Sequence, residues 1–303
     1  MMRHQRGSIT NMFNKDDKPL LMAILNVTPD SFSDGGQYIA VDAAVRRAGK
    51  ILTEGADIID IGGESTRPGS EAVSATEQIG RVVPIIEALR SELPQYVPIS
   101  IDTTLSAVAE AALAAGASLI NDISAGRDDD RMLPLAAQRD VPIILMHMQG
   151  TPKTMQDDPH YGEVVDEVLQ FLQKRIGAAE NAGVHRENIL IDPGIGFGKR
   201  RQDNISLLAN LQRFVASGYP VLLGTSRKRF MGSICSVDEP DELVTATAVT
   251  TALGVMAGVK LFRVHDVKEN RQALDIAWAI KQHSAGCAAL IQPTGKATSA
   301  KPL

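Results

Sequence analysis

The sequence predicts a single-domain α/β fold, the (β/α)8 or TIM barrel, from three observations. Eight short aliphatic runs alternate with eight Ala-rich amphipathic stretches. The run starts extend from residue 20 to residue 260, an average repeat of about 34 residues, and eight such units need about 250 residues, the ordinary size of this barrel. Each run has a polar or ionisable residue at or near its end, at the position where these barrels build their sites. A doubly wound open sheet is the competing arrangement, but no GxGxxG follows the first run.

The runs are Leu20–Val27, Asp57–Ile61, Pro98–Ile101, Ser118–Ile123, Pro142–Met146, Ile189–Ile191, Pro220–Leu223 and Lys260–Val264. Each is continuously apolar rather than alternating, which suits strands of a parallel sheet buried on both faces. The stretches 40–55, 74–91, 104–115, 128–139, 160–182, 203–217, 240–258 and 266–283 read as the helices between and after them. Glu54-Gly55-Ala56 and Ala115-Gly116-Ala117 place Gly where a helix C-cap needs a left-handed residue. Pro84 is expected to kink or shorten the second helix. The polar, unpatterned segments 1–18 and 285–303 read as flexible tails around one barrel domain, 19–284.

Composition narrows the function classes. The chain has 303 residues, a formal charge of −5, and 1 Trp, 4 Tyr and 7 Phe. So few rings argue against a stacking surface for single-stranded nucleic acid, and no long basic tract marks a nucleic-acid or membrane patch. The uncharged segment 243–259 is shorter than the ~20 apolar residues a membrane span needs. A helix apolar nearly all round belongs in a core or against a partner subunit. The N-terminus lacks the apolar region of a secretory signal. Cys235 and Cys287 form no CxxC pair and read as reduced thiols, in keeping with a cytoplasmic protein. There is no HExxH or HxxxH zinc spacing, no Walker A loop and no GxSxG elbow.

The run ends supply the candidate chemistry. Asp102, Asn121 and Asp192 lie at neighbouring ends and could surround a flat heterocycle, the carboxylates accepting from ring N–H groups and the amide doing both. The competing roles are a helix cap for Asp102 and turn contacts for Asn121 and Asp122. Lys228, Arg263 and His265 put cations where barrels commonly hold phosphate. Arg263 and His265 alternate with Val264 and so point to one side, although a salt bridge to Asp266 would serve structure alone. The loops 28–36 and 62–69 are long and rich in Gly, Ser, Thr and Pro, and read either as closing lids or as plain connectors. His147 reads as a structural strand-end residue. Asn26 offers one neutral oxygen, enough for a Mg²⁺ ion completed by phosphate oxygens and water.

NVTPDSFSDGG at 26–36, GADIIDIGGESTRPG at 55–69, SIDT, INDIS, MHMQGTP, DPGIGFGK, GTSRKRF and RVHDV occur in this order. Together they resemble dihydropteroate synthase over about residues 19–280. The resemblance implies the same barrel and a transferase of folate biosynthesis. Such an enzyme condenses 6-hydroxymethyl-7,8-dihydropterin pyrophosphate with p-aminobenzoate, releasing pyrophosphate, and is a target of sulfonamides. It implies a pterin pocket of Asp102, Asn121, Met146, Asp192, Lys228 and Arg263, and Asn26, Arg263 and His265 on the pyrophosphate, with Mg²⁺ on Asn26. It places Thr66, Arg67, Pro68, Phe197 and Arg229 around p-aminobenzoate. Arg229 stands where other members carry Ser. Phe32 and Asp34 belong to the first loop, the lid of this reading. A homodimer through the late helices is also implied, with no nucleic-acid or membrane partner. A pterin-dependent methyltransferase barrel and a non-catalytic pterin-binding protein are the rival expectations.

Overall fold

The computed structural model describes residues 12–13, 17–27, 37–65 and 69–290, without the side chains of 37–40 and 285–290. Eight strands, β1 (Leu20–Asn26), β2 (Ile58–Gly62), β3 (Ile99–Asp102), β4 (Leu119–Asp122), β5 (Ile143–Met146), β6 (Ile189–Asp192), β7 (Leu222–Leu223) and β8 (Leu261–Val264), form one parallel sheet. Its order is β6-β5-β4-β3-β2-β1-β8-β7. A single parallel bridge from Ile191 to Val221 joins the two ends and closes the barrel.

Period-two alternation sorts every strand into two layers. Met22, Ile58, Leu119, Ile144, Leu190, Leu222 and Leu261 meet in one inner cluster. Their sequence neighbours, such as Leu21, Ile59, Ile120, Ile143, Ile189, Leu223 and Phe262, pack outward against the helices. Burial on both faces is why the runs carry no polar alternation. One position further along, the inner layer turns polar with Asp60, Asp102, Asn121, Asp192 and Arg263. The barrel is thus apolar at its base and ionic at the C-terminal ends of its strands.

The helices are α1 (Gln37–Thr53), α2 (Ala75–Glu92), α3 (Ser106–Ala115), α4 (Met132–Arg139), α5 (Val164–Asn181), α6 (Arg201–Ala209), α7 (Leu211–Val215), α8 (Arg229–Cys235), α9 (Val244–Ala257) and α10 (Val267–Leu290). Gly116 caps α3 at φ 118°, as expected. Four features of the helices differ from the sequence reading. The stretch 203–217 is two helices, because the Asn210 side chain turns back to the Ser206 carbonyl at 2.8 Å and ends α6. An additional helix, α8, fills the connection after β7. The last helix runs on to Leu290, past the expected boundary at 284. Pro84 does not shorten α2, which continues through it.

The N-terminal segment is more than a tail. Residues 12–13 make a 3-10 turn, and Phe13 is buried against the inner apolar cluster at the barrel base. Nearby, Lys260 Nζ donates to the Asp17 carbonyl at 2.5 Å. Cys235 is an exposed free thiol, while the Cys287 side chain lies outside the described residues. Among the described residues no helix is long and apolar enough to cross a membrane.

The uncharged helix α9 is amphipathic in reverse. Its inward face is Thr247, Thr250, Thr251, Gly254 and Val255. The threonines bond to their surroundings: Thr250 and Thr225 share a hydroxyl contact of 2.6 Å, and Thr251 donates to Asn270 Oδ1 at 2.7 Å. The outward face carries Val249, Leu253 (61% exposed) and Met256, beside Ile276 (65% exposed) and Ile280 of α10.

Candidate active site

Arg263 organises the ionic end of the barrel. Its Nε donates to Asp60 Oδ2 and its Nη2 to Asp102 Oδ2, each at 2.6 Å. Asn121 Nδ2 donates to the same Asp60 oxygen at 3.2 Å. Four strands are therefore tied together across the barrel interior: β8 through Arg263, β2 through Asp60, β3 through Asp102 and β4 through Asn121. Asp102 is not a helix cap, since the N-cap of α3 is Leu105 and its side chain makes no capping hydrogen bond. Asp122 is the turn residue, accepting from Ser124 N, Ser124 Oγ and Gly126 N at 2.8, 2.7 and 2.6 Å.

Burial raises the Asp102 carboxyl above its ordinary range, and Arg263 opposes that rise. Burial likewise lifts Asp192 to about 6, with the Gly194 N–H drawing it back. For Arg263 burial works against the charge, but Asp60 and Asp102 outweigh it and hold the guanidinium firmly protonated. Lys228 is pushed down to about 8 by burial and then by Arg263. Its Nζ sits 3.9 Å from the centre of the Phe197 ring, a cation–π contact.

Two glycines leave room among these groups. Gly62 and Gly224 stand at the inner positions that end β2 and follow β7. A Cβ on Gly62 would lie 3.5 Å from Asp102 Cβ and 3.7 Å from Asn26 Oδ1, and one on Gly224 would lie 3.9 Å from both Arg263 Cβ and Asp192 Oδ2. Met146 and Phe197 share an apolar cluster with Ile123, Met148 and Met155. The arrangement offers carboxylates for N–H groups, a cation pair for an anion, and an apolar patch with one ring for a flat molecule.

His265 departs from the cationic clamp the sequence suggests. Burial, then the charge of Arg263, lowers it to about 3, so its imidazole is neutral. Ser226 Oγ accepts the His265 backbone N–H at 3.1 Å and lies 3.0 Å from Nδ1. The neutral ring shares one proton with the Ser226 hydroxyl across that contact, and Nε2 is its other polar atom. Asp266 pairs with Arg227 rather than Arg263, through Nε at 3.0 Å and Nη2 at 2.7 Å.

Asn26, Asp102, Asn121, Met146, Asp192, Phe197, Lys228, Arg263 and His265 all lie at this end, and Arg229 is exposed at the start of α8. Phe32, Asp34, Thr66, Arg67 and Pro68 lie outside the described residues. Two residues were missed by the sequence reading. Asp60 was visible as a polar strand end, but its bond to a residue 203 positions away was not. Lys199 closes the Gly-rich loop after β6 and is buried, with its ammonium lowered to about 7 by burial against the pull of Asp192.

Comparison with known proteins agrees with this geometry. Residues 22–265 match the family described as pterin binding enzyme. A dihydropteroate synthase from Synechocystis is 45% identical over 269 residues, covering 89% of this chain and 92% of its own. The structure of Xanthomonas albilineans dihydropteroate synthase with 4-aminobenzoic acid superposes with a TM-score of 0.81 at 46% identity, covering 88% of this chain and 94% of the other. The same enzyme in complex with 7,8-dihydropteroate gives 0.78 at 43% identity, covering 88% and 95%. With strand-end residues, barrel and relatives in accord, this chain belongs to the dihydropteroate synthase family of pterin-binding enzymes.

Proposed function

We propose that this protein condenses 6-hydroxymethyl-7,8-dihydropterin pyrophosphate with p-aminobenzoate to give 7,8-dihydropteroate and pyrophosphate. The observation that carries this reading is the Asp60–Arg263–Asp102 network, flanked by Asp192, Lys228 and the Phe197 ring. It combines acceptors for a pterin with cations for its leaving group in one pocket.

In this reading Asp102 and Asp192 accept the N–H groups of the pterin, and the free Asn121 amide atoms complete its edge. Met146 and the Arg263 stem pack on its face. Arg263 supplies charge and His265 a polar imidazole edge to the departing pyrophosphate, whose growing charge they stabilise. If the C–O bond breaks first, the two carboxylates stabilise the cation that forms on the pterin, and the arylamine attacks without a strong base. Phe197 and Arg229 line the p-aminobenzoate side, together with Thr66, Arg67 and Pro68. Phe32 and Asp34 cover the reacting centre against water.

Among the described residues no group of three or more His, Cys, Asp or Glu could hold a metal ion. Asn26 offers one hard, neutral oxygen beside Asp102. That donor set suits a Mg²⁺ ion that takes its other ligands from pyrophosphate and water, and the ion supplies charge neutralisation on the leaving group. A homodimer through the outward faces of α9 and α10 is part of the same proposal, supported by their exposed apolar side chains.

The test is pyrophosphate release from the pterin pyrophosphate with and without p-aminobenzoate. Release that requires the arylamine and yields dihydropteroate is expected. Tight pterin binding without turnover would identify a non-catalytic binder instead.

A further inference from the structure

The loop after β6 is folded around a buried ammonium. Lys199 Nζ donates to the Gly194 carbonyl at 2.8 Å and the Phe197 carbonyl at 3.0 Å. It lies 2.9 Å from His147 Nδ1 and 3.4 Å from the His147 carbonyl. His147 follows β5, so one cation joins the ends of two strands. Burial and then the Lys199 charge hold the His147 imidazole near pKa 2, so the ring is neutral and its Nδ1 can accept from the ammonium, which has only protons to give.

The backbone is shaped for this approach. Gly194 and Gly198 have φ of 67° and 61°, in the left-handed region. A Cβ on them would lie 1.9 Å from the His147 carbonyl oxygen and 2.4 Å from the Gln149 carbonyl oxygen. The same loop returns the Gly194 N–H to Asp192 Oδ1 at 2.7 Å. Lys199 thus clamps the segment between Asp192, which faces the pocket, and Phe197, whose ring covers Lys228.

Burying an ammonium is costly, and an apolar side chain could fill the same space more stably. A charge kept there is best explained by what it holds. We infer that Lys199 is a positioning residue for the aryl substrate, fixing the loop that presents the Phe197 ring to p-aminobenzoate. This rests on the function proposed above. Lys199 does not act on reacting atoms; its effect passes through the Phe197 carbonyl it holds.

The test compares full-length wild type, Lys199→Met, Phe197→Ala and the double variant by pyrophosphate release, varying each substrate at saturation of the other. Lys199→Met is expected to raise the p-aminobenzoate KM about tenfold while the pterin pyrophosphate KM moves by less than about twofold. In the Phe197→Ala background it is expected to add nothing, because both changes remove one interaction. His147→Leu removes the Nδ1 acceptor, together with the imidazole's edge contact on the Phe171 ring, and is expected to raise the same KM by about threefold, which keeps the inference testable should Lys199→Met fail to fold. An unchanged p-aminobenzoate KM in the variants that fold, equal rises in both KM values, or fully multiplicative effects in the double variant would overturn it. A wild type that releases no pyrophosphate would overturn the proposed function and this inference together; an active wild type with unaffected variants overturns this inference alone.

Discussion

Asp102 and Asp60 hold Arg263 between them, and Asn121 shares the Asp60 oxygen. Asp102→Asn keeps the shape but removes a negative charge at the pterin. Turnover is expected to fall on the order of 10²–10³, the usual cost of one electrostatic contact in a transition state. Steady-state pyrophosphate release, read beside pyrophosphate binding, measures it; unchanged turnover would show that the carboxylate does not stabilise the reacting ring. Phe197→Ala is expected to raise the p-aminobenzoate KM several-fold, and the sulfonamide inhibition constant in proportion, with stacking worth about 1 kcal/mol. Parallel inhibition and saturation curves check it. The contrast between Asp102 and Asp60 shows what a sequence can reveal at this scale. Both are polar ends of aliphatic runs and equally visible as such. Both bond Arg263 across the barrel, 203 and 161 positions away in the chain, and those pairings are not encoded in local pattern.

Strands were legible because they are buried on both faces, so their apolar runs are unbroken and their polar ends stand out. Helices were legible where an amphipathic stripe persists over several turns, as in α5. The break between α6 and α7 was not, because it depends on one Asn210 side chain turning onto a carbonyl. Helix α8 is a single short element set by its surroundings after β7. Reading α9 as apolar all round was correct in composition, yet the threonines hide inside with their hydroxyls satisfied while Val249, Leu253 and Met256 face outward. Val249→Asp puts a charge in the middle of that outward face. It is expected to halve the particle mass seen by light scattering while circular dichroism stays unchanged; a mass identical to wild type at the same concentration would count against this interface.

At the scale of the whole molecule, folding stability carries the imprint of buried titratable groups. His147 is held near pKa 2 in the fold against an ordinary value of 6.5. Its contribution to stability is complete above about pH 6.5 and is lost progressively as pH falls, because the unfolded chain binds a proton there that the fold refuses. Asp102, Asp122 and Asp192, raised by burial, act with the opposite sign: their contribution is present at low pH and is lost as pH rises toward 6–7. That opposing contribution is common to wild type and variant. His147→Gln is therefore expected to lose about 1.4 kcal/mol per pH unit less than wild type between pH 6 and 4, as read from urea unfolding at each pH. The inverted helix α9 reaches further still. A chain emerging from denaturant cannot shelter Leu253 and Ile276 by its own folding, because its threonines already occupy the inner side. In the homodimer proposed through this face, recovery of activity depends on encounter between chains: yield after dilution is expected to rise with protein concentration, then fall where aggregation outruns pairing. The last step of assembly would be a collision rather than a collapse.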